Sequence, residues 1–241
     1  MWNLISLFIT YKTVFMKKTI LTFSFLLFLA LSIFPGCTSP GEKDKTIGDT
    51  VVNGKPVMDE SKCAAKSELR TNMRKLWEDH IVWTRNVILN IMDDLPGTDQ
   101  AVKRLLKNQD DIGDAIKPYY GDDAGNKLTE LLHTHITQAA DLLKAAKKND
   151  KAAFEKIDKE WHDNADQIAQ FLSNANPNWK LDDMQKMMND HLKFTTDEAV
   201  ARQKKDYDGD VAAFDKVHDE ILKMSDMLYM GIEEQFPDKI K

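Results

Sequence analysis

The chain has 241 residues, with 33 basic and 39 acidic side chains and a formal net charge of −6. Three of the basic residues and none of the acidic ones precede Cys37, so the part from Cys37 onward carries 30 basic and 39 acidic residues over 205 positions. Its net charge of −9 excludes nucleic acid as an expected partner, because the phosphate backbone repels an acidic protein. The length predicts one domain with a tether.

The N-terminal segment has the parts of a secretory signal. Met16 is a suitable initiator methionine, and two lysines follow it. An apolar run occupies residues 20–34, and a proline and a glycine precede Cys37. A run of about 15 apolar residues is too short for a comfortable transmembrane helix, whereas a small residue before cysteine suits cleavage and lipid attachment. We therefore expect residues 1–36 to be a lipoprotein signal peptide, with 1–15 upstream of the true start.

A lipid on Cys37 would hold the exported chain at a membrane of the cell envelope, on its periplasmic or surface side. An uncleaved N-terminal anchor is the alternative, and it would export the same part of the chain. Residues 37–66 contain many small, polar and charged residues, which predicts a flexible tether, and the domain proper is expected at 67–241. Cys63 is then the one remaining cysteine, so no disulfide within the chain is expected.

Apolar residues recur at intervals of three and four residues beyond the tether, and no alternating strand pattern of any length occurs there. The domain is therefore predicted to be all-α, an antiparallel up-and-down bundle of four to five long helices with short helical insertions. The long helices are expected at about Ser67–Asp94, Asp122–Lys148, Asp150–Asn174, Trp179–Lys205 and Asp210–Phe236. The insertions are expected at Ala101–Asn108 and Ile112–Ile116, before Pro118 and Gly121 break the chain.

The sequence contains no motif of the best-known catalytic classes. Gly-rich phosphate loops, the Gly-x-Ser-x-Gly elbow and the dinucleotide fingerprint are all missing. We therefore assign no catalytic residue and favour a non-enzymatic role. A metal-dependent enzyme would need an acid or base close to the three histidines described next, and Asp166 and Glu78 are the candidates.

Three of the six histidines lie on apolar helix faces. At 100° per residue, His80, His135 and His191 each fall within about 40° of the apolar stripe of their helix and near its midpoint. Short connections would bring these midpoints to one level, so the three imidazoles are expected to meet in one layer of the core. Such a layer could hold a small ligand or a transition metal such as Zn, Fe, Mn or Cu. The alternative is a purely structural layer of hydrogen-bonded polar side chains.

Several further side chains are expected around this layer. They are Trp83, Thr84, Arg85, Trp161, Asn164, Asp166 and Glu198. Glu198 follows His191 by seven residues, about 10 Å along a helix, so it would belong to another layer and pair with Arg85 or Arg202. Alternatively, Thr195 and Glu198 form a capping box that restarts the helix after a break. Six methionines between Met184 and Met230 could bind Cu(I) or line an adaptable pocket.

A series of spaced motifs carries a family resemblance. The motifs are Leu76-Trp77-Glu78-Asp79-His80 with Trp83-Thr84-Arg85, Pro118-Tyr119-Tyr120-Gly121, Leu131-Leu132-His133-Thr134-His135, Trp161 with Asn164-Ala165-Asp166, Asn176-Pro177-Asn178-Trp179, His191-Leu192, and Gly231-Ile232 with Gln235-Phe236-Pro237. From about Leu69 to Pro237 the chain resembles a family of small bacterial all-helical proteins without an established activity. Some members carry the labels glycosyltransferase or acetylglutamate kinase.

The resemblance implies that the three histidines and several of their expected neighbours occupy motif positions, and it implies no role for them. The enzyme labels do not carry over, because the chain lacks the α/β alternation and phosphate loop that such chemistry leads one to expect. The sequence predicts two alternative functions. In the first, the chain is an envelope lipoprotein whose bundle binds a metal ion or small ligand in a central histidine layer. In the second, it is a tethered, non-catalytic module that holds an envelope protein partner and has a purely structural polar core.

Overall fold

Helices make up almost all of the part of the chain that the structure describes. In a computed structural model, residues 60–241 are described with their side chains, and residues 51–52 and 55–56 as backbone. The helices are α1 (Glu60–Met92), α2 (Thr98–Tyr120), α3 (Asp122–Lys147), α4 (Lys151–Ala175), α5 (Leu181–Gln203) and α6 (Tyr207–Gln235). The prediction of an all-α domain is confirmed. The predicted signal peptide and Cys37 lie outside the described residues.

Two short backbone pieces precede the helices. They pair antiparallel as β1 (Val51–Val52) and β2 (Lys55–Pro56). Within the described residues, no helix is both long and apolar enough to cross a membrane.

The first helix begins earlier than predicted, so the predicted tether overlaps it. α1 begins at Glu60, whereas the sequence pattern predicted a start at Ser67. The intervening residues include two alanines and two lysines, which favour helix, and Glu60 suits the positive end of the helix dipole. Lys66 also forms an ion pair with Glu233 of α6 at 2.7 Å, which fixes this turn against the bundle. Cys63 lies in the same segment of α1.

The second helix is continuous, so the prediction of two short insertions was wrong. α2 runs unbroken through the polar stretch around Asn108, where the apolar periodicity is interrupted. Asn108 and Gln109 are fully buried, and their amides donate to the carbonyl oxygens of Leu76 at 3.0 Å and Leu105 at 2.9 Å. Buried polar side chains with partners are compatible with a helix interior. Pro118 lies in the last turn, where few backbone hydrogen bonds are lost.

The six helices surround one core. Each helix packs against the next in the chain, α6 packs against α1, and α1 also contacts α3 and α5. A large apolar cluster includes residues from all six helices, and four of its members, Ala169, Met184, Ile221 and Ile232, have no measurable exposure. A smaller cluster lies where the second half of α1 meets α2 and α3. The histidine-bearing faces of α1, α3 and α5 are therefore turned towards the shared interior.

Close helix contacts and short connections hold the faces in register. At the crossing of α2 and α3, a Cβ on Gly113 would lie 2.7 Å from the carbonyl oxygen of Gly125, so only glycine allows this approach. Asp150 caps α4 by accepting from the backbone N–H of Ala153 at 3.1 Å. Asp206 caps α6 through Gly209 in the same way, at 3.0 Å.

Candidate functional site

Three buried imidazoles border one cavity at the centre of the bundle. α1, α3 and α5 contribute His80, His135 and His191, whose exposed fractions are 3%, 4% and 4%. All three line a cavity of about 30 Å³, here called the central cavity, and apolar and aromatic side chains from all six helices form the rest of its wall. The ring centres of His80 and His191 lie 5.6 Å apart. The structure therefore brings the three predicted histidines to one site.

The polar partner of His135 determines where that ring carries its proton. The side-chain amide of Asn164 donates to the carbonyl oxygen of Leu131 at 3.1 Å, which orients the Asn164 oxygen Oδ1 towards His135 Nδ1 at 2.9 Å. Because an amide oxygen only accepts, His135 is protonated at Nδ1. Its second nitrogen, Nε2, is then a hydrogen-bond acceptor.

His80 has the opposite polarity. Its Nδ1 lies 3.2 Å from the amide nitrogen of Gln109, which also lies 2.9 Å from the carbonyl oxygen of Leu105 and 3.0 Å from Asn108 Oδ1. Two oxygen acceptors identify that atom as the NH₂ group, and an NH₂ group cannot accept a hydrogen bond. The lone pair of His80 therefore lies at Nδ1, and the proton is on Nε2.

His191 is held by a carboxylate. Its Nδ1 lies 3.0 Å from Glu220 Oε2, so Nδ1 donates and Nε2 is an acceptor while the ring is neutral. The hydrogen bonds described for these three rings lie at Nδ1, and the rings border the central cavity in an otherwise apolar wall.

Burial keeps His80 and His135 uncharged. Burial, with a smaller effect of neighbouring His191, lowers the pKa of His135 to about 3. Burial also lowers the pKa of His80 well below its ordinary value of 6.5, and the positive charges that His191 and His135 would carry lower that pKa further. The hydrogen bond with Gln109 opposes this shift without reversing it. At neutral pH these two imidazoles are therefore uncharged.

The arrangement does not fit a three-histidine metal site. A metal binds an imidazole nitrogen through its lone pair, and His80 carries a proton on Nε2. Moving that proton to Nδ1 would require the Gln109 amide to turn, which would place its oxygen against the carbonyl oxygen of Leu105. Within residues 60–241, no group of three or more His, Cys, Asp and Glu side chains is arranged to hold a metal ion. The predicted Zn, Fe, Mn or Cu therefore finds no support in the geometry.

The methionines contribute apolar surface to the site. Met187, Met188 and Met224 line the central cavity, whereas Met230 is exposed on α6. Two tryptophans flank the histidines: the Trp161 ring lies 5.2 Å from the His135 ring, and the Trp77 ring meets His80 edge-on at 5.8 Å.

A separate charged network lies further along the same helices. Arg85 donates to Glu198 at 2.6 Å and to Asp210 at 2.8 Å, and Arg202 donates to Asp210 at 3.2 Å and also pairs with Asp93. Glu198 and Asp210 are each 1% exposed. The predicted pairing of Glu198 with Arg85 is present, and Glu198 is well separated from the histidine layer, as its position on the helix predicted.

α5 runs without a break through Thr195, so the alternative of a capping box that restarts the helix is wrong. Burial, opposed by Arg85, raises the pKa of the Glu198 carboxyl to about 7.

The other predicted neighbours are distributed unevenly. Asn164 and Trp161 contact His135, and Thr84 donates its hydroxyl to the carbonyl oxygen of His80 at 2.8 Å. Trp83 lies under the guanidinium of Arg104 and packs against the smaller apolar cluster instead. Asp166 is exposed and accepts from Gln185 of α5 at 3.2 Å. Neither Trp83 nor Asp166 belongs to the histidine site.

Two residues of the site were missed by the sequence interpretation. Gln109 lies in the stretch that was expected to be non-helical, so its position relative to His80 was not considered. Glu220 directly precedes Ile221 on the apolar stripe of α6, and it was not considered as a partner of His191. The available signal was a glutamine and a glutamate beside buried helix positions, since long polar side chains there need buried partners.

Comparison with known proteins identifies no relative: no protein-family model, no curated protein and no solved structure matches this chain. The interpretation of the site therefore depends on its own geometry and chemistry.

Replacement of His135 by glutamine should weaken the acid sensitivity of the fold. The unfolded chain takes up this proton near pH 6.5, whereas folded His135 does so near pH 3. The stabilising contribution is therefore complete above pH 6.5 and is lost as the pH falls, by up to about 1.4 kcal/mol per pH unit. Urea unfolding from pH 7 to pH 3.5 should show a smaller loss in His135→Gln than in wild type. Exposed His162→Gln is the control and should follow wild type.

Replacement of Glu198 by glutamine should have the opposite pH signature. The folded carboxyl titrates near pH 7 and the unfolded one near 4.5, so the folded state holds its proton longer. The contribution of this group to the free energy of unfolding should consequently fall as the pH rises from 4.5 to 7, by up to about 1.4 kcal/mol per unit, and it opposes the contribution of His135. The free energy of unfolding of Glu198→Gln, taken relative to wild type at each pH, should therefore rise over this range, whereas that of exposed Asp197→Asn should not. Equal pH profiles for wild type and Glu198→Gln would show that the pKa is not raised.

Proposed function

We propose that this chain is a lipoprotein of the cell envelope whose helical bundle binds a small neutral molecule at His80, His135 and His191. The observation that carries the proposal is the convergence of three imidazoles on one cavity. All three are buried, all three line the central cavity, and each is oriented at Nδ1 by its own hydrogen-bond partner. An imidazole that is oriented through one nitrogen can pair with a bound molecule through the other.

The protonation pattern specifies the chemistry of the ligand. Neutral His80 offers an N–H donor at Nε2, while neutral His135 offers an acceptor there. A hydroxyl group is complementary to both kinds of partner because it donates once and accepts up to twice. A cavity of about 30 Å³ has room for roughly two water-sized groups. Neutral imidazoles and an apolar wall disfavour charged ligands, since a charge would be buried without a counterion.

The fold proposal extends to helix direction and to the family. We propose that consecutive helices alternate in direction, because helices joined by short loops also pack against one another. The ion pairs Lys66–Glu233 and Glu78–His218 support this for α1 and α6, because the residue further along α1 pairs with the residue earlier in α6. Membership in the family of small bacterial helical proteins stays a prediction from the motifs.

Attachment to the membrane through Cys37 is the second part of the proposal. It depends on the sequence pattern of the signal peptide, and it has a chemical consequence for Cys63. The chain contains only these two cysteines. One sulfur cannot carry both a lipid thioether and a disulfide, so a disulfide between the two cysteines of one chain and lipidation at Cys37 exclude each other.

Titration with methanol tests the ligand proposal. Methanol has one hydroxyl and two non-hydrogen atoms, which matches the chemistry and size of the central cavity. The imidazole ¹⁵N signals of His80 and His135 should shift saturably as methanol is added to the purified protein. His135→Phe should weaken binding about fivefold, because one hydrogen bond is worth about 1 kcal/mol.

Ethane is the matched probe without a hydroxyl, and His162→Gln is the control variant. Equal effects of ethane and methanol would contradict recognition of a hydroxyl. The absence of any saturable shift would leave the layer as the purely structural core of the alternative function. Elemental analysis of the same preparation tests the alternative that the histidines bind a metal ion. One metal ion per chain in wild type, lost in His80→Ala and His191→Ala, would show that the site binds a metal and not a neutral molecule.

Replacement of Cys37 by alanine tests the anchor. The variant should accumulate outside the membrane fraction or as an unprocessed precursor, and the mature wild-type protein should carry a lipid on an N-terminal Cys37 in mass spectrometry. Cys63→Ser is the matched control and should stay in the membrane fraction. A wild-type mass that shows unmodified Cys37 disulfide-bonded to Cys63 would contradict lipidation.

A further inference from the structure

A second cavity lies one helical turn beyond the histidine layer. The residues four positions after the three histidines are Thr84, Ala139 and Thr195, and all of them line a space of about 50 Å³, here called the outer cavity. Four residues on a helix advance about 6 Å, so this space is adjacent to the central cavity but has a different wall. It has room for roughly four water-sized groups.

Apolar side chains form most of the outer cavity. They come from α1 to α5 and include Val87, Leu105, Ile136, Leu142, Phe154 and Ala199. No charged side chain lines it. At one end the wall includes Val200 and Gln203, which are both exposed, so this end of the outer cavity lies near the protein surface.

Two polar atoms in this wall have no partner. Trp161 is 3% exposed and Thr195 is 7% exposed, and both line the outer cavity. Within the described residues, Trp161 Nε1 and Thr195 Oγ1 make no hydrogen bond. Thr84 differs, because its hydroxyl already donates to the carbonyl oxygen of His80 at 2.8 Å. Two residues in the wall of the outer cavity therefore carry a buried donor without a partner, an indole N–H and a hydroxyl.

We propose that the outer cavity is a binding site for a small, neutral, mainly apolar molecule with a carbonyl or ether oxygen. That oxygen accepts hydrogen bonds from Trp161 Nε1 and Thr195 Oγ1, and the apolar part of the molecule fills the space towards Val200. An oxygen with two lone pairs satisfies both donors at once. The proposal is independent of the ligand at the histidine layer, since the two cavities share no lining residue.

Acetone is the probe, because it has four non-hydrogen atoms and one carbonyl oxygen. It is titrated into the full chain in detergent, and the indole N–H signals are followed by ¹⁵N NMR, with Trp161→Phe used to assign the signal. The Trp161 signal should move downfield and saturate. Thr195→Val should weaken binding about 3- to 10-fold, as expected for one lost neutral hydrogen bond, and Thr195→Ser should restore it.

Thr84→Val is the matched control, because it removes a hydroxyl that lines the same cavity but is already engaged, and it should leave acetone affinity unchanged. Isobutene has the shape of acetone without its oxygen and should not move the Trp161 signal downfield. A shift that does not saturate overturns the proposal and indicates that a bound water satisfies the two donors. A shift at Trp77 of the central cavity instead of Trp161, or equal losses in Thr84→Val and Thr195→Val, overturns it as well. If Thr195→Val does not fold, the affinity of Trp161→Phe, read from the Thr195 methyl signal, provides the same test.

Discussion

The burial of three imidazoles in one layer is the constraint around which the rest of the core is organised. A charged imidazole loses too much hydration energy there, so the His80 and His135 rings are held neutral, and a neutral ring has one nitrogen that donates and one that accepts. Each ring then needs a partner with the right polarity. Gln109, Asn164 and Glu220 supply these partners from α2, α4 and α6, the three helices that carry none of the three histidines. The layer thereby links all six helices.

The interior is arranged in levels along the helix axes. The central cavity lies at the histidines, the outer cavity begins one turn further on, and the network of Arg85 with Glu198 and Asp210 follows at a similar depth on another side of the core. The network places two buried carboxylates on one guanidinium. Removal of two acids from water is costly, and a shared arginine offsets only part of that cost, which is why the carboxyl of Glu198 holds its proton to a higher pH. Charged and neutral polar groups are thus kept at separate sites.

Part of this site was predictable from helical periodicity. An apolar stripe identifies the face of a helix that turns inward, and the positions of His80, His135 and His191 on such stripes sufficed to predict that they meet. The rise per residue of a helix predicted that Glu198 lies in a different layer from His191, and its charge predicted the pairing with Arg85. The same method failed at Gln109 and Asp166. Periodicity treats a polar residue as exposed, so it overlooked a buried glutamine, and it cannot identify which neighbouring helix an exposed aspartate faces.

The amino-acid sequence by itself determined that the domain is all-helical, which helix faces are buried and which three histidines lie on them, because these properties depend on local spacing along one helix. Only the tertiary structure decided that α2 is one helix, which side chain holds each Nδ1, and that two separate cavities border the histidine layer. Those properties depend on the packing of neighbouring helices. Hydrogen-bond partners from different helices fix the proton positions of the imidazoles, and cavities form only where side chains from several helices leave a space between them.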